Sequence, residues 1–223
     1  MKKIIALFVI FVCVGAALSA QMSFGGGALI DYGVGNGMKW KDGKDYEVYG
    51  AHAIGFGVFG FVDFTYAEVD VDFTYNIPFS MYYRSRINDK KDSGSESFEG
   101  GNLMMLGLSV LGKYPISMGG GMTVYPAGGF GYNIALIQFD KDGKNAFKDI
   151  DGESAAEWCS QFSIYLGGGL DYDIDRSLYF RVQALAHIRF STKEMREWAK
   201  DDSNTRTTLG LGPRIKIGLG YRF

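Results

Sequence analysis

The chain is poor in the residues on which most site chemistry depends. Its 223 residues include 2 cysteines, 2 histidines and 4 prolines. Cys13 lies in the N-terminal apolar run and leaves Cys159 alone after it, so no intrachain disulfide can form and a stapled secreted scaffold is excluded. His52 and His187 lie far apart in sequence, too sparse for a metal cluster or a Ser-His-Asp triad. With no Ser/His or Asp/His signature at one place, neither an enzyme nor a bound cofactor or metal is expected. Beyond residue 20 no apolar run approaches 18 residues, which excludes an α-helical membrane span there. The formal charge of -2 becomes more acidic once Lys2 and Lys3 are removed, which argues against nucleic acid as a partner.

What is present begins with an export signal. Lys2 and Lys3 precede an almost unbroken apolar run from Ile4 to Ala17, and Leu18, Ser19 and Ala20 supply small residues before Gln21. Residues 1–20 therefore read as a secretory signal peptide cut between Ala20 and Gln21. The run is short for a ~30 Å hydrocarbon core. Cys13 sits inside the run rather than at the cleavage point, so a lipoprotein is not expected. Residues 21–223 are read as one domain, with no linker.

Period-two alternation dominates that domain. Leu209, Leu211, Pro213, Ile215, Ile217, Leu219, Tyr221 and Phe223 alternate with Gly210, Gly212, Arg214, Lys216, Gly218, Gly220 and Arg222. One face of such a strand is apolar, the other glycine and cation. Similar segments run over 22–34, 68–75, 104–110, 122–136, 162–171 and 178–190, with a less regular one over 50–64, making eight strands. Short connections at 65–67, 115–120 and 173–176 alternate with long polar ones at 36–46, 83–102, 140–157 and 191–205. Even strand number with short turns on one rim and long loops on the other predicts a single all-β, eight-stranded antiparallel up-and-down transmembrane β-barrel.

Alternation alone does not say which face is inside. A soluble lipocalin-type barrel would turn its apolar set inward. Here the charged face is mostly small Gly and Ser, and the apolar face is large and aromatic. The bore of an eight-stranded barrel is just wide enough for side chains, so the small set belongs inside. Aromatics at strand ends (Phe24, Tyr32, Tyr75, Tyr132, Phe180, Phe190, Tyr221, Phe223) suggest interfacial girdles. Turning the last strand over would put Arg214 and Lys216 against lipid at about 2–4 kcal/mol each near mid-depth.

Inward charges must then pair, because an unpartnered buried charge is costly. The acids are Asp31, Glu68, Asp70, Asp72 and Asp171; the bases are Lys113, Arg181, Arg189, Arg214, Lys216 and Arg222. Asp171 and Arg181 flank a turn and are expected diagonally on the inner face. Glu68 is expected to meet Lys113, and the acids of the third strand the cations of the last two.

The signal peptide, the eight alternating strands, the long outer loops and the ending Gly218, Leu219, Gly220, Tyr221, Arg222, Phe223 resemble the small OmpA/OmpX/OmpW-type barrels. The resemblance is architectural and spans residues 21–223. It implies an outer-membrane location and makes Leu219, Tyr221 and Phe223 a signal for the barrel-insertion machinery. OmpW-like barrels are associated with passage of small hydrophobic compounds through an apolar lumen, whereas the lumen expected here is charged.

Other motifs have plain readings. Gly55, Gly57 and Gly60 match a dinucleotide fingerprint but sit in an aromatic strand with no helix following, so they read as packing glycines. Asp140, Asp142, Asp149, Asp151 and Glu153 make one outer loop acidic with spacing that misses a calcium-binding loop. Ser191 and Glu194 form a capping box before Met195, Trp198 and Ala199, where a short helix or a packed loop fits equally. The functions left open are a narrow passive conduit for small solutes or hydrophobic compounds, a barrel contacting a surface ligand through its outer loops, and a structural envelope protein with a sealed lumen. The polar lumen favours the first. Outer-membrane lipid and the insertion machinery are the expected partners.

Overall fold

A computed structural model describes residues 22–40, 46–87, 90–97, 101–139, 160–190, 206–207 and 210–223. The expected signal peptide, the acidic loop, Cys159 and the capping-box segment lie outside the described residues. Eleven strands follow in order: β1 Ser23–Trp40, β2 Tyr46–Asp63, β3 Ala67–Ile87, β4 Lys90–Ser97, β5 Leu103–Lys113, β6 Ile116–Gly119, β7 Met122–Gln138, β8 Gln161–Asp173, β9 Leu178–Phe190, β10 Arg206–Thr207 and β11 Gly210–Arg222. Eight of them close a barrel in the order β1-β2-β3-β5-β7-β8-β9-β11, all antiparallel. Pairing of β11 back onto β1, with Ile217 opposite Ile30, removes the free edges.

The eight-stranded barrel expected from alternation is what forms, with its apolar set outside. Ile215, Ile217 and Leu219 are 37%, 40% and 48% exposed, whereas Arg214, next to Ile215, is 9% exposed. Ile30, Phe56, Val58, Val71, Leu108, Phe130, Ile164 and Leu166 extend the same exposed belt around the barrel. Glu68, Asp72, Asp171 and Arg181 are buried in the bore. A continuous apolar exterior around a charged interior suits a lipid solvent and is the inverse of a water-soluble carrier. Val34 and Val110 are members of the apolar set that are nonetheless buried.

The two rims differ in chain chemistry. On the short-turn rim, Thr65 takes φ 71° and its N–H donates to Asp63 Oδ1 at 2.8 Å. The 115–120 connection carries β6, which pairs with β7 through a turn where Gly119, Gly120 and Gly121 all have positive φ. Such backbone favours glycine. The Ser177 and Leu178 N–H groups donate to Asp175 Oδ1 at 2.8 and 2.7 Å, closing the β8–β9 turn. Tyr66 stacks on Tyr114, and Phe24 on Phe223, as a lower aromatic ring.

On the other rim the chain stays extended further than the sequence suggested. The stretch read as a loop at 83–102 contains the end of β3 and all of β4, paired from Ser80↔Ser97 to Ile87↔Lys90. Likewise β1 and β2 remain paired out to Trp40↔Tyr46. By contrast β3 leaves β5 at Asn76↔Leu103. The four strands β1–β4 thus rise as a wall beyond the rest of the rim. Eight residue pairs in its outer hairpin correspond to about 27 Å of strand.

Candidate functional site: the charged lumen

Alternation places one inward side chain every second residue, so facing strands stack their polar residues at shared heights. The lower cluster is built on Glu68 of β3, which is fully buried. Arg181 from β9 grips it across the bore, Nη1 to Oε1 at 2.6 Å and Nη2 to Oε2 at 3.0 Å. The same guanidinium holds Asp171, Nε to Oδ1 at 2.8 Å and Nη2 to Oδ2 at 2.9 Å. Lys113 reaches Glu68 at 2.6 Å and Asp63 at 2.8 Å. Arg222 donates to Asp171 at 3.1 Å, also pairs with Asp173, and lies over the Tyr179 ring at 4.2 Å. Asp171 and Arg181 stand directly opposite in register rather than diagonally.

The upper cluster links β1, β3 and β11. Arg214 binds Asp31, with Nη2 to Oδ2 at 2.6 Å, and lies 3.6 Å from Asp72. Lys216 closes on Asp72 at 2.5 Å. Asp70 accepts from Ser109 at 3.4 Å and lies 4.0 Å from Arg181, between the two clusters. Paired, multiply hydrogen-bonded ions of this kind are the form in which a bore tolerates charge. Gly107 is needed here: a Cβ on it would stand 2.5 Å from Asp72 Oδ1.

Arg189 sits higher, donating to Gln161 Oε1 at 3.0 Å and to the Val34 carbonyl at 3.4 Å. His187 also donates to that carbonyl, at 3.1 Å. His52 lies on the outer surface, hydrogen-bonded to the Tyr32 hydroxyl at 2.8 Å, so the two histidines do not converge. Several members were not singled out from sequence. Asp63 and Asp173 carry ion pairs, and Tyr125 and Tyr165 bridge the clusters to Gln183 and Asn133. Their signal was inward parity alone.

The clusters divide the bore. A vestibule of ≈ 430 Å³ opens on the short-turn side, bounded by Asp63, Lys113, Thr123, Tyr125, Asp171 and Arg222. A cup of ≈ 370 Å³ opens on the other, floored by Asp31 and Arg214 and walled by Asn76, Asn133, His187 and Arg189. A cavity of ≈ 20 Å³ lies beside Asp70, Arg181, Gln183 and Lys216. That is room for about one water.

Among solved structures, the outer membrane protein OprG from Pseudomonas aeruginosa is similar at 13% identity, over 91% of this chain and 95% of that one, with a TM-score of 0.43. The translocator domain of the autotransporter NalP from Neisseria meningitidis is similar at 12% identity, over 100% and 96%, with a TM-score of 0.28. No protein-family model and no curated protein matches the sequence. The barrel assignment rests on the closed pairing and on the sidedness of its residues.

Proposed function

We propose that this chain is an exported outer-membrane barrel, closed at mid-depth, which displays an outer cup and a four-stranded wall to the exterior. In this reading residues 1–20 direct export and are removed. Leu219, Tyr221 and Phe223, all outward and 48%, 48% and 75% exposed, present the terminal strand to the insertion machinery. Lipid covers the apolar belt. No catalytic role is assigned to any residue.

The observation that carries the reading is the set of ion pairs spanning the bore, Glu68–Arg181 and Asp72–Lys216, with a cavity of ≈ 20 Å³ beside them. A passive conduit, which the polar lumen alone favours, requires a continuous wet path, and the Glu68–Arg181 and Asp72–Lys216 pairs stand across it. The outer cup and wall then supply the contact surface for a small solute or a surface ligand.

Planar-bilayer recording of the refolded chain tests this. The expected result is no steady current at either polarity. A stable ohmic conductance would overturn the sealed reading and restore the conduit.

A further inference from the structure

The wall built by β1–β4 has two faces of different charge, and the register shows which groups share a face. On β3, Ser80, Tyr82 and Arg84 follow the parity of outward His52 on β2, through the pairs Ser80↔His52, Tyr82↔Gly50 and Arg84↔Val48. The hairpin partners of that parity include Ser95, Ser93 and Lys91. Arg84, Lys91, Ser93 and Ser95 are exposed. Asp92 falls on the opposite parity, as does Lys90. Arg84, Lys91, Ser93 and Ser95 therefore put cations and hydroxyls on the outward face, and Asp92 lies on the other.

Directly beneath lies an outward aromatic cluster. His52 packs against Tyr32, Phe79 and Tyr82 with ring centroids 6.1, 6.0 and 5.4 Å apart, and Phe79 is 47% exposed. Amphipathic rings of this kind sit at headgroup level in a bilayer. That sets the height of Arg84 and Lys91 just above the acyl chains, where lipid phosphates lie.

We propose that the outward face of the β3–β4 hairpin, with Arg84 and Lys91 above the Tyr32–His52–Phe79–Tyr82 cluster, binds lipid headgroups in the surrounding outer leaflet that carry net negative charge on an uncovered phosphate, as phosphatidic acid does and zwitterionic phosphatidylcholine does not. Charge complementarity and continuity with the apolar belt select this occupant: a cation row standing on an aromatic ring matches a phosphate standing on acyl chains. Guanidinium and ammonium groups are the usual phosphate partners, and serine hydroxyls add donors. The proposal rests on the membrane placement above.

The test reconstitutes the full chain in nanodiscs of phosphatidylcholine alone or with added phosphatidic acid. Lipid retention is followed by native mass spectrometry, and barrel integrity separately by heat-modifiable gel mobility. Wild type is expected to retain phosphatidic acid selectively. Arg84→Gln with Lys91→Gln should weaken retention roughly 25-fold, about five-fold for each surface cation, with the barrel intact. Lys90→Gln, an equal charge change on the other face, should leave it unchanged. An intact wild-type barrel with no selectivity, or equal loss from Lys90→Gln, overturns the proposal alone. A chain that enters neither nanodisc overturns the membrane placement and the proposal with it.

Discussion

Glu68 and Arg181 are separated by 113 residues, yet their side chains meet across the bore in a two-pronged pair, 2.6 and 3.0 Å long. β3 and β9 share no ladder, so this contact belongs to the closed barrel and to nothing local. It forms only when every intervening strand is in register. Removing Arg181 leaves Glu68 buried with Lys113 as its remaining cation and takes a partner from Asp171 as well, at a cost of up to about 3–5 kcal/mol. Arg181→Met should therefore destabilise strongly in urea titrations followed by gel mobility. Adding Glu68→Gln should recover part of the loss, since position 68 then carries no charge, while Lys113 keeps Asp63 and Asp171 keeps Arg222. Simple additivity of the two changes would contradict the pairing.

Gly107 makes room for the Asp72 carboxylate. A valine there must push Asp72 away from Lys216 or displace β5. Gly107→Val should cost about 1–3 kcal/mol in the same titration. Gly120, with open space around it but φ 60°, offers a contrast: Gly120→Val should act through the turn and leave the lumen pairs in place. Equal solvent protection of the Asp72 pairs in wild type and Gly107→Val would refute this.

If the proposed membrane placement holds, outward positions face lipid and their tolerance follows depth. Ile217→Arg should lower the stability of the vesicle-inserted barrel by about 2–4 kcal/mol, and Phe223→Arg at the rim by about 0–1. A flat response along the strand would contradict the belt.

The β8–β9 turn supplies a pH test outside the lipid zone. Two backbone N–H groups donate to the Asp175 carboxylate and hold its pKa below the usual carboxylate value of 3.8. A depressed folded pKa means stabilisation that is present above the unfolded value and is lost as pH falls through the folded one. Wild type should exceed Asp175→Ala in stability at neutral pH, and the gap should shrink below the ordinary carboxylate range. A gap that widens on acidification would refute it.

Much of this architecture was readable from alternation. The terminal strand shows why: Ile215, Ile217 and Leu219 point one way and Arg214 and Lys216 the other, and only one of the two orientations is affordable in lipid. The expected lumen acids and bases share the bore for the same reason. What alternation does not carry is register around the barrel. The direct opposition of Asp171 and Arg181 depends on the β8–β9 turn, and the reach of Arg181 to Glu68 depends on closure. The β3–β4 wall escaped notice because Lys90–Ser97 is polar and serine-rich, with weak strand propensity. Its strand state comes from the ladder to β3. The two ion-paired clusters likewise follow from side chains of opposite strands reaching one another across the bore, which no single strand displays.

The sidedness of β11 can be measured most directly with single tryptophans at Ile215, Ile217 and Leu219, in a chain whose 3 native tryptophans are changed to phenylalanine. In vesicles carrying brominated acyl chains, fluorescence at all three sites should be quenched, while aqueous iodide should have little effect. Efficient iodide quenching with indifference to bromine would place these side chains in water or in the bore, and the lipid-facing barrel would be wrong.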